Sequence, residues 1–167
     1  MKKILFSLAV VSTAVLMSCG GKKETPAAAG MMELDLSSHG VPVIISIPDS
    51  SKGKVEVEDA NGTYKIRVGK SFRMSIFEDA GDISLKKSDI SSAEPKKLKR
   101  FITDEPTTLF YENQITDPEF HFYTIVKLGE KSFILEDLDG EEIYTEDDVK
   151  IMLESAKAIK LKEAAAS

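Results

Sequence analysis

Beyond position 19 this 167-residue chain has no cysteine, and in its whole length it has no tryptophan and only two histidines. The missing thiols exclude a disulfide framework, a thiolate zinc site and thiol catalysis downstream of Cys19. Absent tryptophan weakens any case for a platform on which sugars stack. His39 precedes Gly40 in a stretch that reads as loop, and His121 has no second histidine nearby, so neither a paired-histidine motif nor His-Glu-x-x-His exists. There is also no Gly-x-Ser-x-Gly elbow, no P-loop and no glycine-rich phosphate cradle. A chain so poor in tunable groups is expected not to be an enzyme, and to need no cofactor or metal.

Positive charge is also in short supply. Lys and Arg number 22 against 28 Asp and Glu, a formal charge of −6 that falls to −8 if Lys2 and Lys3 are removed with a leader. Nucleic acid binding demands clustered cations that displace counterions, so no nucleic-acid partner is expected. Lys96, Lys97, Lys99 and Arg100 make the one basic cluster, read as the solvated face of an amphipathic helix.

Long apolar runs are missing except at the start. Lys2 and Lys3 precede a dozen mostly apolar residues over 4–15, too few for a spanning helix of about 20. The layout is that of a secretory signal peptide over residues 1–18. Its end, Leu16-Met17-Ser18-Cys19-Gly20, resembles the lipobox of bacterial lipoproteins. That resemblance implies cleavage before Cys19, acylation of Cys19, and a protein held in the cell envelope on an outer-membrane, periplasmic or surface face. One acyl chain binds membranes marginally, whereas the two or three implied here hold permanently. Residues 19–30 then read as the lipidated cysteine and a flexible tether, about 18 Å end to end on average. Lys22-Lys23-Glu24 resembles the charged export signals of Bacteroidetes surface lipoproteins, and it also suits ordinary tether polarity.

Period-two alternation marks residues 31–77 as strands: Met32, Leu34, Leu36; Val41, Val43, Ile45, Ile47; Val55, Val57; Tyr64, Ile66, Val68; Phe72, Met74, Ile76. Asn61-Gly62 signals a tight hairpin, and Pro42 and Pro48 place their strand at an edge or mark its ends. This segment reads as an antiparallel meander with one wet face. Asp82 caps a short helix over 83–91, and Glu94-Pro95 opens a second with Leu98, Phe101 and Ile102 on one face. Strands follow over 107–112 and 120–128, the latter turning through Gly129-Glu130 into 131–136. Thr145 with Asp148 approximates a capping box, and Val149, Met152, Leu153, Ala156 and Ile159 form a helical apolar stripe. Residues 163–167 read as a frayed tail.

The acidic stretch over 136–148 lacks the carboxylate offsets of an EF-hand and reads as turn and helix-cap chemistry. The element order over 31–162 gives a single α+β domain: an antiparallel sheet, meander plus hairpin, carrying a helical insert and a C-terminal helix. That order, with the Ile45-Ser46-Ile47-Pro48 strand end, resembles the PsbP/Mog1-like fold, which implies a binding scaffold. The expected function is a lipid-anchored, non-catalytic binding or assembly module with an envelope protein as partner. Its docking patch is expected on the sheet at Phe110, His121, Tyr123 and Ile125. The alternative is an envelope hydrolase or small-ligand binder using His121 and carboxylates in a pocket between sheet and helix.

Overall fold

Asn61 and Gly62 both have positive φ, 57° and 87°, as a two-residue type I′ turn requires. They join β3 (Val55–Ala60) to β4 (Thr63–Val68), and β5 (Phe72–Glu78) continues the meander. The computed structural model describes residues 30–114 and 116–162; the leader, Cys19, the tether up to residue 29 and the tail 163–167 lie outside them. Ahead of the meander come β1 (Met31–Asp35) and β2 (Val43–Pro48). After it follow α1 (Ile83–Ser92), β6 (Lys97–Glu105), β7 (Thr108–Gln114), β8 (Pro118–Leu128), β9 (Lys131–Asp137), α2 (Glu146–Lys157) and the two-residue β10 (Lys160–Leu161).

The strands form two antiparallel sheets. Seven run in the order β3-β4-β5-β9-β8-β7-β6, and three run β1-β2-β10. The β5–β9 pairing, from Met74↔Asp137 to Glu78↔Phe133, joins the first meander to a second. Both helices pack on this sheet, so the fold is α+β as expected.

Alternation gives the large sheet two different faces. On one, Ile66, Met74, Ile76, Phe122, Phe133 and Leu135 pack with Val43, Ile45 and Ile47 of β2 and Val149, Met152 and Ala156 of α2. Burying one such side chain is worth about 1.5–3 kcal/mol, so this layer dominates stability. On the other face Leu109, Tyr111, Tyr123 and Ile134 meet Ile90 of α1 in a smaller cluster. Both helices start where side chains stop the backbone donors from being orphaned. Asp82 accepts from Leu85 N (3.0 Å). Thr145 and Asp148 form the reciprocal capping box, Asp148 N to Thr145 Oγ1 at 3.2 Å and Thr145 N to Asp148 Oδ2 at 3.0 Å.

Two sequence expectations change. The second helix proposed over 94–102 does not form, because residues 97–105 are strand β6. Its helix-like spacing has a β explanation. Register shifts between Leu98 and Arg100, and between Phe101 and Thr103, each leave an extra residue in the strand. A bulge turns a period of two into three, so Leu98 and Phe101 share the α1 side. The segment 31–77 is not one meander, since β1 and β2 build the small sheet. Within that sheet β2 is central, so of the two expected roles of Pro42 and Pro48 the second holds, that of marking its ends: Pro48 is its last residue, and Pro42 O, just outside, accepts from Lys162 N (2.9 Å).

Candidate functional site

Strand β8 turns Glu119, His121 and Tyr123 to the side opposite Phe120 and Phe122, as two-residue periodicity demands. Three neighbours then enclose His121, which is 4% exposed. Tyr111 lies opposite it on β7, ring centroids 5.3 Å apart. Asp137, the last residue of β9, accepts from His121 Nδ1 (2.8 Å) and from Phe122 N (2.7 Å). Its carboxylate thus fixes the ring and also replaces a ladder carbonyl where β9 ends. The chain then turns through Leu138 and Gly140, bringing Asp139 back towards β8.

The result is a cluster on the outer side of the sheet, beyond the end of α1. One ligand atom from each of Glu119, His121 and Asp139 lies within 4.8 Å of the others. Lys96, from the link between α1 and β6, pairs with Asp139 and stands 3.5 Å from Glu119 Oε2. His121 Nε2 is buried without a hydrogen-bond partner. Glu119 Oε2 lies 3.7 Å from it, beyond hydrogen-bond range.

Charge and burial compete within the cluster. Burial works against protonation of His121, but the Asp137 hydrogen bond and the charges of Asp137 and Asp139 prevail and hold its pKa above the ordinary value. Burial likewise opposes ionisation of Asp139, yet its bond with Lys96 keeps its pKa low. The Tyr111 phenol is pushed well up, first by burial and then by Asp137, Asp139 and Glu136. A histidine held by a carboxylate has the form of a general base, but Nε2 faces the carboxylate of Glu119 in place of a hydroxyl or thiol nucleophile.

Two open grooves meet at Asp139. One, of about 380 Å³, runs past Lys86, Tyr111, Asp137 and Glu141. The other, of about 410 Å³, is bounded by Lys96, Glu119 and residues 140–143.

The expected docking patch requires correction. Phe110 faces the main core, whereas Tyr123 and Ile125 belong to the smaller cluster beneath α1. Phe110, His121 and Tyr123 are buried, and Ile125 is half-buried. For Tyr123 and Ile125 the cause is the link into α1. Gly81, at φ +68°, lies so flat that a Cβ there would stand 2.6 Å from Ile125 Cδ1, and Lys86 Nζ sits 4.9 Å from the Tyr123 ring centroid. The basic cluster is also engaged differently from a solvated helix face. Lys99 and Arg100 both donate to Glu112, at 2.6 and 2.7 Å, and Lys96 enters the His121 cluster. In the acidic stretch, Glu141 binds Arg67, Glu142 lies 3.4 Å from Arg73, and Asp148 caps α2. Asp137 and Asp139 alone of that stretch join His121.

Sequence reasoning singled out His121 and missed its company. One signal was present: the two-residue turn at Gly129-Glu130 pairs Leu128 with Lys131, and counting back along the hairpin brings residue 137 opposite 122. Comparison with models of known families, with curated proteins and with solved structures returned no match.

Proposed function

We propose that this chain is a lipid-anchored domain of a bacterial envelope that binds another component without transforming it. The observation that carries the reading is the layout of residues 2–19, a charged start and an apolar dozen closing on the one cysteine of the chain. Among the described residues no helix is long and apolar enough to cross a membrane. The grooves that meet at Asp139 take the place of the buried patch as the surface to which a partner docks. The test is fractionation and crosslinking in intact cells, comparing the natural chain with Cys19→Ala. Membrane recovery and capture of one defined envelope protein only when Cys19 is present support the proposal. Equal behaviour of the two forms overturns the anchor, and an anchored form that captures nothing overturns the assembly role.

A second reading, a small-ligand binder or hydrolase, is favoured by one contact: Asp137 lies 2.8 Å from His121 Nδ1 beside a groove. Thermal-shift and hydrolase screens with envelope sugars, peptides and esters test it. A ligand whose stabilisation disappears in Glu119→Gln favours it over docking of a protein.

A further inference from the structure

His121 Nε2 presents an unmet requirement. A buried polar atom without a partner has lost its hydration with nothing in exchange and is rare in folded proteins. With Nδ1 donating to Asp137, Nε2 either carries the second proton, which the raised pKa favours, or in the neutral ring is an acceptor. In the neutral ring it is one of several acceptors gathered here: Glu119 Oε2 lies 3.7 Å from it, and one ligand atom each of Glu119, His121 and Asp139 lies within 4.8 Å of the others. Acceptors so close together favour a positive centre between them, either the second proton of the ring or a cation that replaces it. Lys96 supplies part of it from the rim, touching both carboxylates while leaving Nε2 without a bond. Counted around a neutral imidazole, Glu119, Asp137 and Asp139 against Lys96 leave two negative charges.

We propose that Glu119, His121 and Asp139 bind one first-row divalent transition-metal ion, with Lys96 as a built-in competitor that the metal displaces. The donor set selects the class of ion. Imidazole nitrogen beside carboxylate oxygen suits Zn²⁺, Mn²⁺, Co²⁺ or Ni²⁺, whereas Ca²⁺ and Mg²⁺ prefer oxygen alone. The support behind the ligand is already in place. A metal-bound histidine ordinarily donates its other nitrogen to a carboxylate, which orients the ring and raises its basicity, and Asp137 does this for His121. Donors at about 2.0–2.2 Å from one ion stand roughly 3–4 Å apart. Glu119 already meets that spacing with Nε2 at 3.7 Å. The remaining closure falls to Asp139, whose side chain is 58% exposed on a turn, and to withdrawal of Lys96 into solvent. Three protein donors leave coordination positions open to water or a ligand in the adjoining grooves.

The site is independent of the lipid anchor, so it is tested on the full chain carrying Cys19→Ala, which removes the competing thiol. Zn²⁺ is titrated by calorimetry while the ring C–H signals of the two histidines are followed by NMR. Expected are one Zn²⁺ per chain with micromolar affinity, movement of the His121 signals and no movement of those of His39. Asp139→Asn, at an exposed position on a turn, should weaken binding about tenfold or more, and Glu119→Gln should do the same. Lys96→Met should tighten it about tenfold. The proposal is overturned if Zn²⁺ moves only the His39 signals or neither set, if Lys96→Met and Asp139→Asn both leave affinity unchanged, or if Mg²⁺ binds as tightly as Zn²⁺.

Discussion

His121 and Asp137 are joined at 2.8 Å through Nδ1, with both side chains nearly withdrawn from solvent. The same carboxylate accepts from Phe122 N at 2.7 Å. Asp137 is therefore a strand terminator and the positioning group for the one buried histidine of the described residues. Removing it strands two buried donors at once, which costs more than the loss of an average hydrogen bond. Asp137→Ala should lower stability by about 2–4 kcal/mol and Asp137→Asn, which keeps one acceptor for Phe122 N, by about 1–2 kcal/mol. Urea unfolding at pH 7 measures both; equal midpoints for all three proteins would contradict this role.

Glu141 bridges Arg67 and Arg73 on the wet side of the first meander, at 2.6 Å and 3.2 Å. The hydrogen bond from Arg67, outweighing burial, lowers its pKa from 4.5 to about 2. A folded-state pKa below the unfolded one stabilises the fold above about pH 4.5, and this contribution disappears as pH falls through about 2. The pair is partly solvated, so Glu141→Gln should cost only about 1 kcal/mol at pH 7. The gap between natural and variant unfolding midpoints should shrink between pH 4.5 and pH 2. A gap that stays constant over that window would rule out the ion pair as its source.

Gly81 lets the β5–α1 link lie against Ile125 and Tyr123. Its φ of +68° and the 2.6 Å approach to Ile125 Cδ1 both oppose a Cβ. Gly81→Ala should destabilise by about 1–3 kcal/mol. Loss of amide protection should concentrate in α1 and β6 and leave α2 protected. Uniform loss across both helices would show that the clash is not confined to the smaller cluster.

Thr145 starts the helix whose Val149, Met152 and Ala156 complete the main core. Thr145→Ala should cost about 1 kcal/mol, and Thr145→Ser should recover most of it because the capping oxygen remains. Thermal unfolding of the pair against the natural chain decides between a capping role and simple loss of a methyl group.

Several features were legible in the chain because local chemistry specifies them. Alternation located most of the strands but not β6 or β10, Asn61-Gly62 and Gly129-Glu130 located two hairpins, and Asp82 and Thr145 located both helix starts. The stripe from Val149 to Ile159 correctly identified the face of α2 that meets the sheet. The error over 94–102 was also local: a bulge in β6 spaced Leu98 and Phe101 as a helix would, and periodicity cannot separate the two causes.

Alternation by itself states which side chains share a face, so the sequence determined the two sides of each strand, the hairpin turns, the helix caps and the charge pattern. It carries no information about which strands become neighbours or what covers a face. Tertiary structure decided that β1 and β2 leave the large sheet, that β5 pairs with β9, and that α1 covers Tyr123 and Ile125. It also brought Lys96 to Asp139, 43 positions away, and both to the ring of His121. Such contacts form only when loop closure and long-range burial are resolved together, a balance that no short stretch of sequence holds.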